Sequence, residues 1–218
     1  MTEKAPSDRT RVKRIPGRGV YDCETIYEIL DEGLVCHVGF AHDDQPYVIP
    51  TGYARDGDNL IIHGSSASRM MRELSGGINV CVTVTHLDAL VLARSAFHHS
   101  MNYRSVVILG RATLIEDDAP KTEAMRLLVE HLIPGRWEGC RGPNDIEMKA
   151  TTILTVPLDE ASAKVRIGPP SEEDEDYALT HWAGQIPLPV VPGIPVPDPE
   201  LSEGIAVPEY VKKYGRRR

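Results

Sequence analysis

The sequence of 218 residues lacks any run of about 18 apolar residues, the length that a membrane-spanning helix requires. Its first residues, MTEKAPSDRTRVKR, contain no apolar core of the kind that a signal peptide needs. Positive charge is also scarce, since the net charge is −8 and the pI is near 5.5, whereas a nucleic-acid-binding surface is ordinarily basic. We therefore expect a cytoplasmic protein that binds neither membranes nor nucleic acids.

Several motifs of well-known sites are absent as well. The four cysteines are scattered without a C-x-x-C pair, and Cys36 and Cys81 fall in apolar runs that favour simple packing. The histidines form no H-E-x-x-H motif, and neighbours such as His98 and His99 would point to opposite faces of a strand. No metal site is therefore predicted. The G-x-G-x-x-G, P-loop and G-x-S-x-G motifs are missing too, which excludes the usual nucleotide and hydrolase sites.

The chain has instead a series of short apolar or alternating segments that are typical of strands. They cover residues 34–40, 46–54, 59–63, 78–85, 89–93, 104–115 and 150–158. Helical spacing of apolar residues occurs in three places. They are residues 24–32, a second short segment that ends at Gly76-Gly77, and residues 120–132. Strands at close spacing with short helices between them predict a mainly β fold, an antiparallel barrel.

The composition changes abruptly beyond Gly168, which predicts a body over residues 1–170 and an arm over residues 171–218. The arm contains IPLPVVPGIPVPDPE, whose prolines exclude a regular helix or a central strand. Its apolar residues make it too hydrophobic for a solvated linker. We expect an extended arm that packs on the body or on a second subunit, and the alternative is a disordered tail.

The segment HGSSASRMMREL joins the strand at 59–63 to a short helix. Ser65, Ser66 and Ser68 supply hydroxyl groups, and Arg69 supplies a planar, permanently charged guanidinium that suits phosphate oxygens. The first N–H groups of a helix lack intrahelical partners and favour an anion. The pattern indicates a phosphate site, although the serines could simply cap the helix and the arginine could be solvated.

Taken in order, PYVIPTGYA, LIIHGSSASRMMREL, INVCVTV and HHSMNYRSVVILGRA resemble the FMN-binding split-barrel proteins related to pyridoxamine 5'-phosphate oxidase. Within that superfamily the sequence looks most like the branch that includes the nitroimidazole-resistance proteins. The resemblance covers about residues 12–170, and it extends to Trp182-Ala183-Gly184 and Pro187-Leu188 in the arm. It implies an antiparallel FMN-binding split barrel that forms a homodimer with the flavin at the subunit interface.

The resemblance also implies which residues contact the flavin. Ser68-Arg69 matches the step that binds the FMN phosphate, although Met70 stands where the oxidases have lysine. Trp182 is expected either to stack near the flavin ring or to anchor the arm. The other matching residues are those of the strand whose backbone lies along the isoalloxazine, the phosphate segment and the cleft lining: Val48, Ile49, Pro50, Thr51, His63, Ser65, Ser66, Tyr103 and Ser105.

The function implied by the resemblance is flavin-dependent oxidoreduction of a small reducible molecule, with FMN, or else FAD, as cofactor. His98 or His99 is then expected to act as a proton donor. Pyridoxamine-phosphate oxidase activity itself is not expected, because the proline-rich arm replaces the basic C-terminal substrate cluster of those enzymes. A flavin- or heme-binding protein without turnover and a deazaflavin-dependent reductase are the alternatives.

Overall fold

The computed structural model describes residues 4–215, which form ten strands and five α-helices. The strands are β1 (Gly19–Val20), β2 (Val35–His42), β3 (Gln45–Asp56), β4 (Asn59–Ser65), β5 (Asn79–Leu92), β6 (Ser100–Arg111), β7 (Thr113–Leu114), β8 (Thr151–Pro157), β9 (Ala161–Arg166) and β10 (Gly184–Pro187). The helices are α1 (Cys23–Glu32), α2 (Arg69–Ser75), α3 (Asp118–Leu132), α4 (Asp145–Ala150) and α5 (Glu209–Lys212). None of the helices within residues 4–215 has the length and apolar character needed to span a lipid bilayer.

The strands form one antiparallel sheet in the order β1-β9-β6-β5-β2-β3-β4-β8-β7, and β10 pairs with β5. Strand β6 continues through Ala112 into β7, so that one stretch of chain pairs with β5 in its first part and with β8 in its last. This continuity closes β5, β2, β3, β4, β8 and β6–β7 into a barrel. The predicted mainly β, antiparallel barrel with short helices is confirmed.

The barrel interior holds the main hydrophobic core, and α1 closes one end of it. Alternate residues of the strands point inward, and Ile26, Ile29 and Leu30 of α1 pack against them. The buried Tyr53 hydroxyl donates a hydrogen bond to the Leu30 carbonyl oxygen at 2.6 Å, which ties the helix to β3. A second cluster, made of Ala54, Ile61, Ala124, Leu128 and Ile153, lies outside the barrel under α3.

Strand β5 differs from the sequence prediction, which divided it into segments 78–85 and 89–93. It is one strand with an irregular register between Leu87 and Ala89, where Asp88 interrupts the alternation. One edge of β5 pairs with β6, and the other pairs with β2 near its start and with β10 near its end. Strand β9, which the sequence patterns did not predict, pairs with β6.

Glu172 near the start of the arm forms an ion pair with Arg94, and from residue 184 onward the arm is attached to the body at two places. Strand β10 pairs with β5, and the Leu188 N–H donates to the Asp88 carbonyl oxygen at 2.9 Å. The chain returns to the body at α5, where Tyr210 packs on Gly135 and Gly139, and the Tyr214 hydroxyl donates to the Leu132 carbonyl oxygen at 3.0 Å. We call residues 188–207, between these attachments, the strap. Its aliphatic side chains Val190, Val191, Ile194 and Val196 are exposed.

The start of α1 gives a pH-dependent prediction. Asp22 accepts a hydrogen bond from the Thr25 N–H at 2.8 Å, and this bond lowers the pKa of Asp22 below its ordinary value. Asp22 therefore adds to the free energy of unfolding at pH values above about 3.9, its pKa in the unfolded chain. This stabilisation is lost as the pH falls through the lowered pKa of the folded state. We expect Asp22→Ala to reduce the free energy of unfolding by about 0.5–2 kcal/mol at neutral pH.

Urea unfolding at neutral and at strongly acidic pH checks this prediction. The difference between Asp22→Ala and the wild type should shrink in acid, because the protonated carboxyl is a poorer acceptor. Asp22→Asn is the matched control, since it retains a capping oxygen but has no titrating group. An Asp22→Ala deficit of the same size at both pH values would contradict the assignment.

Candidate functional site

A groove opens in the barrel where β3 and β4 separate. Strand β3 pairs with β2 over residues 45–52 but with β4 only over residues 53–56. The end of β4, residues 63–65, pairs only with β8. Within residues 4–215, the facing edges of β3 and β4 therefore have no partner strand here. Backbone N–H and C=O groups along such edges require partners, and a ligand in the groove can provide them.

One end of the groove is spanned by Arg69, the first residue of α2. Its Nη1 donates a hydrogen bond to the Tyr47 hydroxyl oxygen at 2.8 Å, and its guanidinium carbon lies 5.2 Å from the centre of the Tyr47 ring. That ring stacks on Phe40, with 5.5 Å between the centroids. The guanidinium is thus held in place while the residue stays exposed. It keeps a fixed positive charge that can hold an anion.

The serines beside Arg69 cap the helix and can still serve a ligand. The Ser68 oxygen accepts from the Met71 N–H at 3.3 Å, and the Ser65 oxygen accepts from the Ala67 N–H at 3.3 Å. A hydroxyl that accepts in this way keeps its own O–H for donation. Ser66 is exposed in the same turn. The two interpretations offered by the sequence, helix cap and anion site, are therefore compatible.

His63 lies at the β4 edge of the same groove. Its side chain is solvent-accessible, yet the protein around it is dense enough to lower the pKa of its imidazole through burial. A lowered pKa favours the neutral ring at neutral pH. The positive charge at this end of the groove therefore comes from Arg69 rather than from His63.

Other predicted residues share the outward-facing side of the sheet formed by β3, β2, β5 and β6, which we call the outer face. Val38 and Val82 are buried in the barrel, so their strand neighbours point outward. The outer face carries His37, Val48, Pro50, Thr83, Thr85, Leu87, Leu90, Met101, Tyr103 and Ser105. Ile49 and Thr51 alternate with Val48 and Pro50 and point to the barrel side. The Ser105 hydroxyl donates to the Lys164 carbonyl oxygen at 3.3 Å.

The two predicted histidines and Trp182 lie away from the groove. His98 and His99 occupy the turn between β5 and β6, at the far end of β5 from its pairing with β2. His98 faces Glu173 at 3.7 Å, and the Nδ1 of His99 is 3.0 Å from the Ser95 carbonyl oxygen. Trp182 covers Gly184 beside β5. A single chain therefore does not bring these side chains together with Arg69.

Sequence reasoning missed the charged cluster around Arg104. The Arg104 guanidinium binds both oxygens of Glu32 and both oxygens of Asp88 at 2.5–3.0 Å, and these hydrogen bonds raise its pKa. The cluster borders a cavity of about 630 Å³ in the gap between β2 and the start of the strap. Tyr47 was missed too, although it directly precedes the VIPT segment. Its position on the barrel side, next to Arg69, depends on the register of β3.

A closed antiparallel barrel with an open groove between two strands is the architecture of a split barrel. The chain belongs to the pyridoxamine 5'-phosphate oxidase family, whose model matches residues 22–165. The family that the sequence motifs indicated is thereby confirmed. No curated protein matches the sequence.

Two solved structures are similar along almost the whole chain. The flavocytochrome Anf3 from Azotobacter vinelandii is 45% identical, with 98% of this chain and 99% of that chain covered and a TM-score of 0.93. The FAD and heme binding protein from Mycobacterium smegmatis is 36% identical, with 89% and 96% covered and a TM-score of 0.86. A protein from Bacteroides thetaiotaomicron, described in connection with 5-nitroimidazole antibiotic resistance, shares the fold at 24% identity, with 67% and 86% covered and a TM-score of 0.58.

Proposed function

We propose that this chain is a flavin- and heme-binding oxidoreductase, a flavocytochrome whose flavin occupies the groove between β3 and β4. The observation that carries the proposal is the 45% identity over 98% of the chain to a flavocytochrome. A second relative, 36% identical, is described as binding FAD and heme. The sequence analysis favoured FMN over FAD, and we now propose FAD because of that second relative.

The residues of the groove suit a flavin. Arg69 and the hydroxyl groups of Ser65, Ser66 and Ser68 would bind the phosphate, since an exposed guanidinium and O–H donors lie together there. The unpaired edge of β3, including residues 48–51, would offer backbone groups to the polar edge of the isoalloxazine. A bound flavin supplies hydride or electron transfer, while the protein binds it, orients it and excludes water.

The outer face supports a homodimer. Val35, Val48 and Leu87 are exposed there although they are apolar, and apolar side chains grouped on a surface mark interaction sites. In our proposal a second copy of the chain packs on the part of this face around β2 and β3, where it covers Val48 and Pro50 beside the flavin groove and leaves Leu90 and Met101 open. The electron acceptor or donor is a small molecule that enters from the remaining open side.

An absorbance spectrum of the purified protein tests the proposed function. We expect flavin bands together with a Soret band, and mass spectrometry of the released cofactors should find FAD and heme. Anaerobic reduction should bleach the flavin and then shift the Soret band, which would show electron transfer between the two groups. A wild-type protein that binds no added flavin, or no added hemin, would contradict the proposal. Binding of a deazaflavin alone would favour the reductase alternative.

A further inference from the structure

We infer that His99 is an axial ligand of the heme iron and that the apolar patch beside it seats the porphyrin. This inference rests on the proposed function, since it requires that the chain bind heme. It specifies the position of the heme on this chain and the residue that holds its iron.

The imidazole of His99 is already held through one of its two nitrogens. Its Nδ1 lies 3.0 Å from the carbonyl oxygen of Ser95, four residues earlier in the same turn. A carbonyl oxygen only accepts hydrogen bonds, so Nδ1 carries a proton, and Nε2 is the nitrogen through which this imidazole can bind a metal. Metal-bound histidines typically donate their other N–H to a carbonyl or carboxylate in this way. Because the side chain is exposed, Nε2 is accessible to a large ligand.

The other histidines in the described part of the chain lack this combination. His42, His86, His98 and His131 are only partly exposed, and each contacts a carboxylate or a backbone carbonyl. His37, His63 and His181 are exposed, but no hydrogen bond to a described residue fixes either ring nitrogen. His99 alone among these histidines is both exposed and held through one nitrogen.

An apolar surface for a porphyrin lies directly beside His99. Ile186 of β10, Leu90 of β5 and Met101 of β6 are paired in one row across three strands, so their side chains share a face. The Trp182 ring covers Gly184, two residues before Ile186, and therefore lies on that face too. We call these four residues the heme patch. They are 38% to 67% exposed, which is unusual for large apolar side chains grouped together.

His99 is placed to reach a ring lying on the heme patch. It lies one residue before β6 and two residues before Met101. If the alternation of side chains in β6 continues back to residue 99, His99 and Met101 point to the same face. A porphyrin bound there would cover the apolar patch, and the Nε2 lone pair of His99 would bind its iron. We therefore assign this patch as the surface that binds heme.

Hemin titration of full-length variants tests the assignment. We expect His99→Ala to bind hemin at least about tenfold more weakly than the wild type and to change the low-temperature EPR spectrum of the ferric protein. Its flavin content, and its thermal midpoint before hemin is added, should stay unchanged, because His99 is exposed and lies far from the groove. For His99→Gly, added imidazole should restore the wild-type spectrum. Met101→Glu should weaken hemin binding without changing the axial-ligand signature.

His37→Ala is the matched control, since it also removes an exposed imidazole from the outer face. It should keep wild-type hemin affinity and EPR spectrum. Wild-type hemin binding by His99→Ala with an unchanged spectrum would overturn the inference, as would a loss of heme from His37→Ala alone. Both results would leave the flavocytochrome proposal standing. A wild type that binds no heme would contradict that proposal and the inference with it.

Discussion

Arg69→Ala is expected to weaken flavin binding by about 1.5–3 kcal/mol, which is a roughly ten- to hundredfold increase in Kd. Arg69 sits at the end of the groove, where Tyr47 holds its guanidinium by a hydrogen bond of 2.8 Å. A charge-assisted hydrogen bond to phosphate is lost in the variant. Because the guanidinium is exposed, the difference in flavin affinity between the wild type and Arg69→Ala should also shrink as ionic strength rises. Flavin fluorescence titration at two salt concentrations measures both effects.

Arg72→Ala is the matched control for this prediction. Arg72 is an exposed arginine of the same helix, so its removal changes the net charge equally. We expect it to leave flavin affinity within about a factor of two. If Arg69→Ala and Arg72→Ala bind flavin equally well, the phosphate does not lie at the start of α2, and the groove assignment is wrong.

Leu30→Ala is expected to lower the free energy of unfolding by about 2–5 kcal/mol. Leu30 has no solvent exposure and packs inside the barrel from α1, together with Ile26 and Ile29. Truncation leaves a cavity that the closed barrel cannot collapse to fill. The hydrogen bond from Tyr53 ends on the backbone carbonyl of residue 30, so it survives the change. Denaturant unfolding with an unchanged m-value measures the loss.

Leu132→Ala serves as the control for the packing argument. It removes the same atoms from a leucine that is 40% exposed at the end of α3. We expect its free energy of unfolding to change by about 0.5 kcal/mol or less. Similar losses for the two variants would show that α1 does not close the barrel as described.

The barrel could be predicted from the sequence because most of its strands carry local signals. Residues 34–40 and 59–63 alternate between apolar and polar residues or are β-branched, and the motif order indicated the family. Strand β9 was missed, because ASAKVR is short and is recognised as a strand only through its pairing with β6. The interruption at Asp88 was mistaken for a strand end. A bulge becomes visible only when the partner strand is known.

The site was predictable in its residue types but not in its arrangement. Ser68 and Arg69 are adjacent in sequence, and their position at a helix start follows from local pattern. Tyr47, which holds Arg69, is 22 residues away, so nothing local connects them. Similarly, the alternation of β3 separates Val48 from Ile49, but which of them faces the barrel depends on the register with β2.

The double attachment of the arm has a consequence for its last segment. Helix α5 has four residues, and a helix of that length is not stable in water on its own. Strand β10 fixes the chain at Pro187, so α5 docks on Gly135 and Gly139 as an intramolecular partner. A tether of this kind gives an effective concentration in the millimolar range. The same C-terminal segment supplied as a free peptide at micromolar concentration would leave that surface almost empty.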